Sequence, residues 1–287
     1  MKGAVGVIGG DLRQRYLAQF LINAGFAPVY GTDLCPVDRE EAWNIPCLEW
    51  EELREQVRII AAPIPLVRNQ GRVTGTEMHW SVLAAGLQPA QSIFGGVFPE
   101  EMVRYLRRKG IRYWDYMKSD QVALKNAVAT AEGAIAEGLK HWPENLLGCP
   151  CLVLGYGKCG RLLALRLKQF GAEVTVYARR KEVRVQAQTE GMLTVDDKTL
   201  KAGLSHCPVI FNTIPAPMLD KTHLDVLQKD HLLLELAGGC GCISEELVAQ
   251  LDIHYVKCLG LPGKYAPKES ARILAEYMID MLENQEI

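Results

Sequence analysis

The sequence predicts an α/β protein of two doubly wound domains with parallel sheets, joined by a long connector helix. Three observations predict it. The 287 residues exceed the roughly 150 expected of one domain, so two cores are needed. Short apolar strands alternate with helices in both halves, the rhythm of parallel βαβ units. Between the halves, Ser119 is a suitable N-cap for a helix running from Asp120 to about His141, with Pro143 beyond it. The expected division is 1–118, a connector over 119–144, and 145–267, with a C-terminal helix over 268–287 folding back on the first domain.

In the first domain, Ala4-Val5-Gly6-Val7-Ile8 reads as a strand, Gly9-Gly10-Asp11 as its turn, and Leu12 to about Ala24 as a helix stopped by Gly25. Strands are expected again at Ala27 to Tyr30, at Val57 to Ala62 before Pro63 and Pro65, at Ser92 to Phe94 and at Ile111 to Trp114. A basic amphipathic helix near Glu100 to Lys109 precedes the last of these. On the connector, Asn126, Thr130 and Gly133 recur at helical spacing and make one face small and polar. Such a face either lines a cleft or permits close packing.

The second domain begins with strand Cys151 to Leu154, helix Lys158 to Phe170, stop Gly171 and strand Glu173 to Tyr177, a complete βαβ unit. Strands at Val209 to Phe211, Leu232 to Glu235 and Ile253 to Val256 extend it. Gly260 to Pro267, with two Gly and two Pro, reads as a rigid loop before a final helix from Ser270 to about Glu283.

Composition narrows the function classes. Hydrophobic residues make up 48% and charged residues 23%, which excludes disorder and fibrous repeats, and the net charge of −2 offers no polybasic block for nucleic acid. No apolar stretch reaches the roughly 20 residues needed to cross a bilayer, and no signal peptide is legible. Nine scattered cysteines fit free thiols, so a cytoplasmic protein without membrane contact is expected. Cys149/Cys151 and Cys240/Cys242 lack histidines at zinc-binding intervals, and no metal site is expected. The six histidines show no evident His–acid pair.

The chemistry is carried by Gly155-Tyr156-Gly157-Lys158-Cys159-Gly160, a G-x-G-x-x-G run between strand and helix. The first glycine permits the turn, the second lets a pyrophosphate approach the backbone, and the third allows close helix–strand packing, the Rossmann arrangement. Where an NAD site would carry a carboxylate after the second strand, this chain has Arg179-Arg180. Two guanidiniums there suit a 2′-phosphate, so NADP is favoured, with NAD and a merely solvated basic turn as alternatives. Asn212-Thr213-Ile214-Pro215 ends a strand where open α/β sheets bind ligands; Thr213 and Pro215 are expected to border the nicotinamide ribose, unless this is a plain loop. In the first domain Asp11 obstructs a second pyrophosphate and reads as an N-cap, while Arg13 suits a substrate carboxylate or faces solvent. Lys264, in its rigid loop, is a second candidate cation.

Gly9-Gly10-Asp11 with Arg13-Gln14, the stretch Asn126 to Ile135, Gly155 to Gly160, and Gly260 to Pro267 together resemble the A-type subunits of the dipicolinate synthases of spore-forming bacteria, over essentially the whole chain. Gly238-Gly239-Cys240-Gly241-Cys242 departs from the Ser- or Pro-containing loop expected there. The resemblance implies two domains like those of 2-hydroxyacid dehydrogenases. It implies NADP-linked oxidation of dihydrodipicolinate to pyridine-2,6-dicarboxylate during sporulation, and a small flavoprotein-like partner, the B-type subunit. A homodimer is compatible with it. For a cyclic dicarboxylate the candidate substrate residues are Arg13, Asn126, Thr130, Glu132 and Lys264; no general base is legible. Two other functions stay open: an ordinary 2-hydroxyacid dehydrogenase, which needs a His–acid pair, and a noncatalytic nucleotide-binding regulator of a partner protein.

Overall fold

A computed structural model describes residues 3–26, 29–34, 45–68, 70–239, 241–248 and 253–284. The chain forms two compact units, residues 1–125 with 266–287, and residues 126–265.

The first unit begins with β1 (Val5–Ile8), α1 (Leu12–Asn23) and β2 (Val29–Thr32). It continues through α2 (Trp50–Gln56), β3 (Ile59–Ala61), the short hairpin β4 (Val67–Arg68) and β5 (Arg72–Val73), α3 (Trp80–Gly86), β6 (Ser92–Gly95), α4 (Glu100–Arg108) and β7 (Arg112–Asp115). Its main sheet is parallel, in the order β2-β1-β3-β6-β7. Counted within the unit this is 2-1-3-4-5, the flavodoxin-like variant of the doubly wound plan. Val5, Val7, Ile60 and Ile93 have no exposed surface, as expected of strands covered on both faces. Of the strand expected at Ala27 to Tyr30, residues 27 and 28 lie outside the described residues.

The hairpin explains the character of the Gly9–Gly10 turn. Gly10 N donates to Thr74 O at 2.7 Å, and a Cβ on Gly75 would stand 2.4 Å from Gly10 N. The hairpin turn therefore rests directly on the turn after β1, where a doubly wound unit would otherwise admit a phosphate. Asp11 caps α1 by accepting from Arg13 N at 3.0 Å, which adds a fixed negative charge to that helix end.

Helix α5 (Asp120–His141) carries the chain from one unit to the other. Ser119 Oγ accepts from Val122 N at 3.3 Å, closing its first turn. The second unit then runs β8 (Pro150–Leu154), α6 (Lys158–Gln169), β9 (Glu173–Tyr177), α7 (Lys181–Thr189), β10 (Leu193–Val195), α8 (Leu200–His206), β11 (Val209–Asn212), α9 (Lys221–Leu224), β12 (Leu232–Glu235), α10 (Glu245–Val248), β13 (His254–Lys257) and α11 (Leu261–Tyr265). Its sheet is parallel in the order β10-β9-β8-β11-β12-β13. Within the unit this is 3-2-1-4-5-6, the dinucleotide-binding order, with the strand order reversing between β8 and β11. The last helix, α12 (Pro267–Asn284), returns to the first unit, where Ala271, Leu274, Ala275 and Met278 join α1 residues Leu17, Ala18 and Leu21 in one buried cluster.

Three expectations need correction. The 260–267 stretch is helical rather than a loop: Pro262 is the second residue of α11 and Pro267 the first of α12. In a first turn the missing N–H costs nothing, so proline starts these helices where it was expected to forbid them. The unit boundary falls at 125/126, inside α5, rather than at the connector's ends, because the later turns of α5 pack on α6 and α11. The strand expected over 57–62 is confined to Ile59–Ala61.

Replacing Gly75 by alanine is expected to lower the stability of the first unit by about 2 kcal/mol or more, since φ is +82° and the added carbon collides with backbone. Urea unfolding checks this; unchanged stability would mean that the hairpin is not seated on Gly10.

Candidate functional site

The second unit presents its candidate site at the carboxyl ends of β8, β9 and β11. Gly155 makes the turn after β8 with φ +95° and donates its N–H to Tyr177 O at 3.0 Å. A Cβ on Gly160 would stand 2.3 Å from Gly155 O, so only glycine lets α6 start this close to the strand. Thr213 Oγ1 donates to Leu154 O at 2.8 Å and lies 2.7–2.8 Å from where Cβ atoms of Gly155 and Gly160 would be. Gly157 differs: nothing lies within 4 Å of its Cβ position, and no side chain caps α6 there. The loop thus combines a tight turn, a close packing point and an open face at a helix N-terminus, which fits a pyrophosphate.

The side chains between the glycines point to different tasks. The Tyr156 hydroxyl donates to the Glu190 carboxylate, which also accepts from Arg161 Nε at 2.9 Å, and the ring belongs to the unit's core. Tyr156 therefore offers a ligand only its backbone, and burial followed by Glu190 pushes its hydroxyl well above the usual phenol range. Lys158 is exposed at the start of α6. Cys159 is half-buried beside Thr130; burial raises its thiol and the Thr130 hydroxyl partly offsets this.

Beyond β9, Arg179 and Arg180 are exposed, and among the described residues neither side chain has a hydrogen bond or ion pair. The turn that carries them is stiffened from below, because Arg184 Nη1 donates to Ala178 O at 2.8 Å and Arg179 O at 2.6 Å. The acids of the following loop are engaged elsewhere: Asp197 accepts from the Tyr177 hydroxyl at 2.6 Å, and Asp196 from Thr199 Oγ1 at 3.0 Å. Beyond β11, Pro215 is exposed while Asn212 is fully buried.

Along α5, Thr130 Oγ1 donates to Asn126 O at 3.0 Å, and a Cβ on Gly133 would stand 2.8 Å from the Tyr265 ring. Gly133 thus serves close packing on α11. Glu132 is exposed, and Asn126 Oδ1 is buried with no partner among the described residues. One helical step further is Glu137, which the sequence did not single out as a site residue. It is buried and binds the Lys264 ammonium, and the hydrogen bond from Lys264 holds its carboxyl below the usual glutamate range. Its signal was present as the next member of the 126, 130, 133 series.

Both candidate substrate cations therefore have a carboxylate partner within their own unit. Lys264 has Glu137. In the first unit, Arg13 is buried; its Nε lies 2.8 Å from Asp11 Oδ1, and its Nη2 lies 2.7 Å from Asp11 Oδ2 and from Ile64 O. His–acid contacts that the sequence does not make evident also occur: His223 Nδ1 lies 2.8 Å from Asp220 at the start of α9, and His141 Nε2 lies 3.6 Å from Glu137. Among the described residues no group of three His, Cys, Asp or Glu could hold a metal ion; Cys240 lies outside them. No described helix is long and apolar enough to cross a membrane.

Residues 4–117 match the family described as the N-terminal domain of the dipicolinate synthase A-type subunit. Residues 121–261 match the D-isomer specific 2-hydroxyacid dehydrogenase, NAD binding domain. The chain is 26% identical over 286 residues to the A-type dipicolinate synthase subunit of Bacillus subtilis (strain 168), covering 97% of this chain and 95% of that one. Among solved structures it superposes on the A-type dipicolinate synthase subunit from Bacillus halodurans with a TM-score of 0.87 at 23% identity, covering 98% of this chain and 97% of that one. The A chain of dipicolinate synthase from Bacillus subtilis gives a TM-score of 0.84 at 23% identity, covering 99% and 97%.

Two outcomes are expected. Gly157→Val should leave the melting temperature nearly unchanged and abolish dinucleotide binding by calorimetry, whereas Gly160→Ala should lower the melting temperature as well. Equal behaviour of the two variants would mean that position 157 is not the open face of the loop. Glu137 has a folded-state pKa below its unfolded value of about 4.3. Its stabilising contribution is therefore fully present above about pH 5 and is lost as pH falls through the folded pKa. The stability gap between the wild-type chain and Glu137→Gln, read from urea unfolding at stepped pH, should close between about pH 5 and pH 3; a gap that widens on acidification would contradict the pairing.

Proposed function

We propose that this chain, which resembles the A-type subunit of dipicolinate synthase over nearly its whole length, is an NADP-dependent oxidoreductase that converts dihydrodipicolinate to pyridine-2,6-dicarboxylate. The carrying observation is the open backbone over Gly157 together with the unpaired Arg179 and Arg180 at the end of β9. Unpaired guanidiniums on a stiffened turn fit a 2′-phosphate, which a lone ribose hydroxyl would not require. Backbone N–H groups at the start of α6 would hold the pyrophosphate, and Thr213 and Pro215 would border the nicotinamide ribose.

When bound, the nicotinamide ring would take up the two electrons and one hydrogen that the dihydropyridine ring loses on becoming aromatic, the second hydrogen leaving as a proton. Aromatisation supplies driving force, so the chain's own task is to orient the ring and neutralise two carboxylates. Arg13, Asn126, Thr130, Glu132 and Lys264 are the residues we assign to that task. Asp11 and Glu137 pre-orient the two cations, and a substrate carboxylate would compete with them. We place the protein in the cytoplasm of a sporulating cell, working with a second, B-type subunit of the kind that the name of its relatives implies.

Steady-state oxidation of dihydrodipicolinate by the purified chain, with and without the B-type subunit, tests the reaction. Formation of NADPH is expected; none under either condition would leave a nucleotide-binding regulator as the surviving reading. Arg179→Ala with Arg180→Ala should weaken NADP binding about 10- to 100-fold and leave NAD nearly unaffected. Equal weakening of both cofactors would refute the 2′-phosphate assignment.

A further inference from the structure

We propose that Glu235 is a positioning residue that sets the nicotinamide-side wall of the dinucleotide site by tying together the loops that follow β11 and β12. The inference rests on the dinucleotide reading above and adds a residue that neither the glycine loop nor the arginines involve.

Glu235 ends β12 opposite Asn212 of β11 in the parallel register, and Asn212 in turn stands opposite Leu154 of β8. All three lie at the carboxyl end of the sheet, beside the glycine loop. A dinucleotide spans the point where strand order reverses, so if its adenosine half lies over β9, its other half extends over β11 and β12. Glu235 is buried at 2% exposure, beneath that half.

Its carboxylate is saturated with donors. Oε1 accepts from Asn212 Nδ2 at 2.7 Å and from Ala237 N at 2.9 Å, and Oε2 accepts from Cys242 N at 2.8 Å. The Cys242 thiol also faces it, and burial followed by this carboxylate pushes that thiol up. Asn212 carries the connection onward: its Oδ1 accepts from Ile214 N at 3.0 Å, and its Nδ2 donates to Ile214 O at 3.0 Å. Between them sits Thr213, whose hydroxyl faces Gly155 and Gly160. A single relay therefore runs from Cys242 through Glu235 and Asn212 to the glycine loop. It also gives a physical account of the glycine-rich 238–242 run: a Cβ on Gly241 would stand 2.8 Å from Glu235 Oε2, so the loop can wrap the carboxylate only without a side chain there.

A site surrounded by N–H donors requires an acceptor on both carboxyl oxygens. An amide of the same shape must turn its NH2 towards a donor, which makes Glu235→Gln the informative change. Calorimetry on the full chain should compare NADP with 2′-phospho-ADP-ribose, and NAD with ADP-ribose, so that each pair differs only by the nicotinamide. In the variant the Kd of the complete dinucleotide is expected to rise about 10-fold or more, while that of the partner lacking nicotinamide changes less than about 2-fold. Equal effects within a pair, or none, overturn the positioning role. If Glu235→Gln does not fold, Asn212→Ala cuts the same relay at its other end and is read with the same ligands; failure of both to fold assigns the relay to stability alone and overturns the proposal. A wild-type chain that binds none of the four ligands overturns the dinucleotide reading, and this inference with it.

Discussion

The second unit depends on one close approach, that of α6 to the end of β8. Gly160 lies against the carbonyl of Gly155, with Thr213 wedged beside both. Any side chain at position 160 would push the helix away from the strand, and the open face at Gly157 would lose its relation to β9 and β11. Thr213 makes this contact a three-strand matter, because its hydroxyl is bonded to Leu154 O and its neighbour Asn212 is bonded to Glu235. The glycine loop is thus braced from the nicotinamide side by a buried polar relay and from the far side by Tyr156, Glu190 and Arg161. Buried polar groups of this kind are tolerable only when every member is satisfied.

Charge placement separates what is structural from what is offered to a ligand. Buried charges need counter-ions, since desolvating an unpaired charge costs more than the fold can recover. Arg13 and Glu137 are both buried, and each has its opposite charge at hand in Asp11 or Lys264. Arg179 and Arg180 are exposed and solvated, so they stand unpaired without such a cost. Unpaired exposed guanidiniums on a turn held by Arg184 therefore keep their full hydrogen-bonding capacity for an incoming anion.

The two sheets illustrate how related windings are specialised. Both have strand–turn–helix openings with glycines, yet the first unit follows the 2-1-3-4-5 order and seats a hairpin on its turn, while the second follows 3-2-1-4-5-6 and leaves its turn open. In the first, Thr74 O satisfies Gly10 N, and Asp11 supplies the negative charge at the helix start. The backbone donors that would greet a phosphate are already in use.

Local pattern alone determined much of this protein. The apolar strands with glycine stops, the cap at Ser119, the spacing from Gly155 to Gly160 and the pair Arg179-Arg180 are all short-range features, and α/β winding follows from their alternation. Asp11 as a cap was legible for the same reason. Tertiary structure decided the rest because it turns on partners distant in sequence. The small face at Asn126, Thr130 and Gly133 left packing and ligand binding equally open, and only the Tyr265 ring against Gly133 assigned that glycine to packing. Lys264 looked unpaired until Glu137, 127 positions away, met it. Glu235 was only the last residue of an apolar strand until parallel pairing set Asn212 beside it. A carboxylate's role depends on which donors surround it, and at this site they come from two loops that the sheet alone brings together.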